Sequence, residues 1–178
     1  MSNTVIGIDP GAAGGIAILK GSKIETFNMP ETYPDIYNLL SDLKDGDDML
    51  AVLEDVGHGM PGQSSKATAV FARHNGHLEM ALYALGIRTV KVTPQKWQKH
   101  YSNSLGKSKD YEKREWKNKL KGLAQQMFPS VKVTLKNADA ILIACYGAST
   151  TGQPVKTEDK PKKKVVKPID VFNGPELF

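Results

Sequence analysis

At 178 residues, with 40% apolar and 24% charged side chains, the chain has the size and composition of one ordinary soluble α/β domain with a terminal extension. No run approaches the roughly 18 consecutive apolar residues of a membrane span, and a single cysteine, Cys145, excludes a disulfide framework. The net charge of +5 is concentrated, with seven basic against three acidic residues from Lys107 to Lys121 and six lysines against Glu158 and Asp159 from Lys156 to Lys167; this suits a polyanion such as nucleic acid, or solvated surface alone.

The opening Met1-Ser2-Asn3-Thr4 has none of the segments of a signal peptide, so a cytoplasmic location with no membrane partner is expected. Val5-Ile6-Gly7-Ile8 is short, apolar and β-branched and stops at Asp9-Pro10-Gly11, which predicts a buried strand ending in a tight turn. Gly14 to Leu19 and Lys23 to Phe27, joined through Gly21-Ser22, predict two further strands of a meander. Ile36, Leu39, Leu40 and Leu43 recur at helical spacing, predicting a helix from about Tyr33 to Lys44. Met49 to Leu53 is the next buried strand and delivers Glu54-Asp55 at its end. From Ser65 to Leu85 the stripe Val70, Phe71, His74, Leu78, Ala81, Leu82 and Leu85 predicts a long core-facing helix, with His74 a hydrogen-bonded core histidine. Ile87 to Val92 is another strand, and Pro94 starts a short helix that carries Trp97.

Trp116, Leu120, Leu123 and Met127 form the apolar stripe of a basic helix, with Lys113, Arg114, Lys117, Lys119 and Lys121 on other faces and Trp116 in the core. Asn137 is a good N-cap for a final helix, Ala138 to Tyr146, apolar nearly all round and therefore buried beyond its first turn. Cys145 lies inside that run and reads as packing. Periodicity ends near Thr150, so residues 1–150 form the predicted domain and 151–178 a flexible Lys- and Pro-rich tail. The tail's apolar end, Ile169 to Phe178, is a candidate docking segment for a partner protein or for DNA.

Three acids stand where a purely structural domain has little use for them: Asp9 and Glu54 at the ends of buried strands, and Asp139 in the first turn of a buried helix. An ionised carboxylate near a core needs a salt bridge, hydrogen bonds or a cation. Each acid has a plain alternative, as turn residue, strand-end surface acid or helix-start acid. Lys136, three positions before Asp139, is the main basic neighbour in sequence, and one lysine cannot neutralise three separated carboxylates. A divalent cation can, and an all-oxygen set suits magnesium or manganese rather than zinc. The four histidines show no metal-ligand pattern.

Gly7-Ile8-Asp9-Pro10-Gly11 with Gly14-Gly15-Ile16-Ala17, Val52 to Val56 with Met60 to Ser64 and Phe71 to Gly76, Val92 to Trp97, and Ala138-Asp139-Ala140-Ile141-Leu142-Ile143-Ala144 resemble, in order, the four sequence blocks of the RuvC-like Holliday junction resolvases of phage and organellar type. The resemblance covers about 1 to 148. It implies an RNase H-like α/β fold: a five-stranded mixed sheet, three antiparallel strands then parallel ones, flanked by helices. It also implies a crossover junction endodeoxyribonuclease that acts as a homodimer through the long helix and makes paired nicks in four-way DNA. Asp9, Glu54 and Asp139 match the family's metal ligands, for two magnesium ions per site with manganese as the alternative. Relatives carry an acid or histidine where this chain has Lys136, which is expected either to contact the scissile phosphate as a catalytic residue or to pair with Asp139. Gln63, Ser64, Lys66, Arg73, Lys107, Lys109, Lys113, Arg114 and Lys117 are the expected DNA contacts. The rival readings are an RNase H-like nuclease for other branched DNA or RNA–DNA hybrids, and a junction-binding protein without chemistry; an actin-like ATPase is set aside because no second phosphate loop follows.

Overall fold

The computed structural model describes residues 4–44, 46, 48–57 and 64–151, so that Gln63 and the tail from 152 onward lie outside the described residues. Five strands form one mixed sheet in the order β3-β2-β1-β4-β5. These are β1 (Thr4–Asp9), β2 (Gly15–Lys20), β3 (Lys23–Asn28), β4 (Met49–Glu54) and β5 (Arg88–Val92). The meander β1-β2-β3 is antiparallel, as the short turns between Asp9 and Gly15 and at Gly21-Ser22 dictate. β4 lies parallel to β1 and β5 parallel to β4, each after a helical crossover. The helices are α1 (Tyr33–Leu43), α2 (Ser65–Ala84), α3 (Pro94–His100), α4 (Ser102–Leu105), α5 (Lys113–Met127) and α6 (Ala138–Thr150). None is long and apolar enough to cross a membrane.

Strand alternation divides the core into two layers. Ile6, Ile8, Ile16, Ile18, Met49, Ala51 and Leu53 face α1 and α2, meeting Ile36, Leu40, Leu78, Ala81 and Leu82. Val5, Ala17, Leu19, Leu50, Val52 and Val92 face the other way, against α3, α5 and α6. The parity has a direct consequence for the acids. Asp9 shares the face of Val5 and Gly7, and Glu54 that of Leu50 and Val52, so both carboxylates emerge beneath α6.

Helix α6 lies unusually close to the sheet. A Cβ added to Gly7 would stand 2.1 Å from the Ala140 carbonyl oxygen and 2.4 Å from the Ala144 nitrogen, and one added to Gly147 would stand 2.5 Å from Val52 Cγ2. Helix backbone thus rests on strand backbone, and α6 is buried all round from Ala138 to Cys145, as its composition predicts. Fully burying each of Ile141, Leu142 and Ile143 stabilises this seat by roughly 1.5–3 kcal/mol. Cys145 is buried within it, and burial pushes its thiol up to about 12, which agrees with a packing role.

Three expectations need correction. Only the second half of α2 faces the core, through Leu78, Ala81 and Leu82; Val70 is 51% exposed and Phe71 and His74 are half-buried. The first half reaches past the ends of the strands, where Phe71 lies against Gly11 of the turn after β1. His74 has no hydrogen-bond partner for Nε2 among the described residues. Asn137 precedes α6 but makes no capping bond. Its side chain accepts from the Thr134 backbone N–H at 2.7 Å and donates to Thr26 Oγ1 at 3.1 Å and to the Lys132 carbonyl at 3.2 Å. It pins the approach to α6 onto β3. Trp116 is in the core as expected, its indole donating to Gln98 Oε1 at 3.0 Å.

Candidate active site

Asp9 ends β1 and Glu54 ends β4. Because these neighbouring central strands run parallel, with Ile8 opposite Leu53, their carboxyl ends coincide, which is where open α/β sheets place their ligands. The hairpin after β1 folds back onto Asp9: a Cβ on Gly14 would lie 2.1 Å from the Asp9 carbonyl oxygen and 3.2 Å from its carboxyl carbon. The glycines of this segment therefore make room beside the acid. The start of α6, held by Asn137 and by its close seat on β1, brings Asp139 over the same spot. Three residues separated by 45 and 85 positions in sequence meet because two strands and one helix end together.

Burial at this junction is deep for carboxylates. Glu54 is 6% and Asp139 2% exposed. Trp97, fully buried on α3, donates its indole N–H to Glu54 Oε1 at 2.7 Å. Asp9 and Glu54 share a hydrogen bond, and burial, then the charges of Glu54 and Asp139, push the Asp9 carboxyl up to about 8. Burial likewise raises Glu54, with Asp139 adding to it and the Trp97 bond and Lys117 opposing.

The lysine at this site is Lys117 of α5, not Lys136. The Lys117 ammonium donates to Asp139 Oδ2 and pairs with it. Burial alone would lower this ammonium; the charge and hydrogen bond of Asp139, with Asp9 and Glu54 behind it, outweigh that and hold it above its ordinary value. Lys136 is exposed, on the turn before α6, and its carbonyl oxygen, not its ammonium, packs toward Gly15. The ion pair with Asp139 considered for Lys136 is thus made by a residue 22 positions away. A signal for it existed: Lys117 falls at i, i+3 and i+7 with the buried Leu120 and Ala124, on the edge of the apolar stripe rather than on another face. Trp97 as the support of Glu54 had no comparable signal, since its block promised only a short helix.

The acids suit a cation in chemistry and in charge. Among the described residues no three of His, Cys, Asp and Glu converge as a ready coordination set. The buried Asp139 Oδ1 nevertheless has no hydrogen-bond partner there, and one lysine leaves three carboxylates undercompensated. An orphaned buried carboxylate oxygen beside two further oxygen donors fits magnesium or manganese. Asp55, on the opposite strand face, is half-exposed and stays outside the cluster.

Of the expected DNA contacts, Ser64, Lys66 and Arg73 come together. With Gly11, Tyr33 and Phe71 they line a cavity of about 510 Å³ beside the Asp9 turn, and Ser64 caps α2 by accepting from the Ala67 N–H at 3.3 Å. Lys107, Lys109, Lys113 and Arg114 are exposed on the α4–α5 segment.

No protein-family model and no curated protein sequence matches this chain. Solved structures do. Thermus thermophilus RuvC matches with a TM-score of 0.53 at 13% identity, covering 84% of this chain and 97% of that one. The same protein in complex with a Holliday junction substrate matches with a TM-score of 0.52, also at 13% identity over 84% and 97%. The fold is that of RuvC, RNase H-like, with the five-stranded sheet of three antiparallel strands followed by parallel ones that the resemblance implies.

Proposed function

We propose that this protein is a metal-dependent, structure-selective endonuclease that makes paired nicks in four-way DNA junctions, as a member of the RuvC-like resolvases. The observation that carries the reading is the meeting of Asp9, Glu54 and Asp139 at the carboxyl ends of β1 and β4, with one buried oxygen of Asp139 unpartnered. On this reading the three carboxylates hold the divalent ions. When bound, the ions supply Lewis acidity that eases proton loss from a water and neutralises charge on the departing 3′ oxygen. The protein's own groups prepare that chemistry. Trp97 fixes one oxygen of Glu54 and so aims the other. The seat of α6 on β1 sets Asp139 relative to Asp9, and the Leu/Ile layers behind exclude water. Lys66 and Arg73 at the cavity rim, with the α5 lysines, bind phosphates without reading sequence. Lys136, exposed at the start of α6, adds a phosphate contact near the acids.

Paired nicks call for two copies. Met80 and Tyr83 on α2 are 63% and 82% exposed, and Val90 on the edge strand β5 is 50% exposed. Met80 and Tyr83, with Ile87, Thr89 and the Lys91–Glu79 ion pair at 2.7 Å, line an open groove of about 660 Å³, a mixed face whose exposed apolar residues suit an equivalent face on a second copy.

A second reading, a junction-binding protein without chemistry, draws on the Lys117 ammonium standing among the acids. One experiment separates the two: incubation with a labelled four-way junction, a Y-fork, a duplex and an RNA–DNA hybrid in magnesium, manganese or EDTA. Symmetric, metal-dependent nicking of the junction that disappears in Asp9→Asn supports the resolvase. Binding without cleavage supports the second reading, and preferred cutting of the hybrid points to a general RNase H-like nuclease.

A further inference from the structure

Lys117 has a position that neither a surface DNA contact nor an ordinary salt bridge explains. Its ammonium binds one oxygen of the buried Asp139, and the charges of Asp9 and Glu54 act on it as well, so it occupies a cation position on the acid that closes the site. We propose that Lys117 is the resident cation of this site in the metal-free protein, and that it leaves the acids when a divalent ion binds. The inference rests on the reading that the three carboxylates hold such an ion.

Three observations carry it. The first is charge: Glu54 and Asp139 are buried beside the half-buried Asp9, and a buried acid such as Asp139 needs a cation on it when no metal is bound. The second is exclusion. An ammonium and a divalent ion on the same carboxylates stand a few ångströms apart and repel strongly in a site this dry. The third is the asymmetry of the pair. The Asp139 side chain is 3% exposed and anchored on α6, whereas that of Lys117 is 39% exposed. Only the lysine, on a flexible four-carbon stem, has a way out. Outside the site it joins Lys113 and Lys121, one turn away on either side of α5. Lys113 is exposed and Lys121 partly so, and there water screens the repulsion between like charges.

The test is a pulse of amine-selective methylation on the full-length protein, read residue by residue by mass spectrometry, in EDTA and in magnesium. Manganese binding is measured separately by calorimetry. In EDTA, Lys117 is expected to react several-fold more slowly than exposed Lys113, because its ammonium is held against Asp139 and its side chain is partly covered, and in magnesium to approach it. Manganese binding with no change in Lys117 labelling overturns the exchange and leaves the metal reading intact. No manganese binding removes the metal reading and the exchange with it. Lys117→Met adds an independent check: a competitor's removal leaves manganese binding equal or tighter, and a large loss of binding in a folded variant shows that Lys117 assists the ion and overturns the proposal.

Discussion

The two faces of the sheet are built to opposite rules. Toward α1 and α2 the strands present Ile6, Ile8, Ala51 and Leu53 to Leu40, Leu78 and Leu82, and the buried cluster of this layer is entirely apolar. Toward α3, α5 and α6 the same strands present valines and leucines until their last residues, where Asp9 and Glu54 meet Asp139, Lys117 and Trp97. Since the strands are shared, the difference comes from the final residue of each strand and from what covers it. One layer supplies stability through close-packed apolar volume. The other gives up stability at a single point to keep charge where water is scarce.

The sharpest way to break the comparison is one substitution on each side. Leu82→Ala in the apolar layer is expected to cost about 2–5 kcal/mol, read by urea unfolding, with metal affinity per folded molecule unchanged. Asp9→Asn should do the reverse: the metal-free protein becomes more stable at neutral pH while manganese binding, by calorimetry, is lost. A destabilised Asp9→Asn would mean that the acid is structural.

The pH dependence of metal-free stability sharpens the same point. Folded Asp9 keeps its proton up to about 8, whereas unfolded Asp releases it near 4, at about 3.9. The folded state therefore binds more protons across that window. Stability from this group is full below about pH 4 and falls as pH rises through about 8. Thermal melts in EDTA should show this decline, and magnesium or Asp9→Asn should flatten it.

A smaller effect is expected at the bond that supports Glu54. Trp97→Phe keeps most of the packing and removes the indole donor, which should weaken manganese binding by about 10- to 100-fold. Unchanged affinity would mean that the bond only satisfies the indole. Smallest of all, Lys136→Ala should lower junction affinity a few-fold and reduce its salt slope by roughly one phosphate contact, with nicking of bound junction slowed only slightly. A large loss of nicking at saturating protein would place Lys136 at the reacting phosphate after all.

Much of this was legible in the chain. A run of buried strand residues that stops on an acid, as at Ile8-Asp9 and Leu53-Glu54, shows where each carboxylate stands, and an all-apolar helix that opens on Asp139 shows the third. What stayed hidden depends on which elements end side by side. The stripe on α2 has the right period, yet its first half overhangs the strand ends, because period reports direction and not how far the sheet extends. The spacing of Lys117 with Leu120 and Ala124 sets it at the edge of the apolar stripe, but which acid it meets is fixed only when α5 is laid against α6, and Asn137 has the chemistry of a cap but is drawn instead to the Thr134 backbone and to Thr26.

The seat of α6 directly on β1, with no side chain at Gly7 or Gly147 to hold them apart, also bears on how the molecule opens. Backbone packed on backbone separates only when the whole layer comes away, so the amide protons of β1 and α6 should exchange with solvent last, at the rate of global unfolding. Those in the overhanging first turns of α2 should exchange early through local fraying, leaving the frame of the acids as the last part of the protein to let water in.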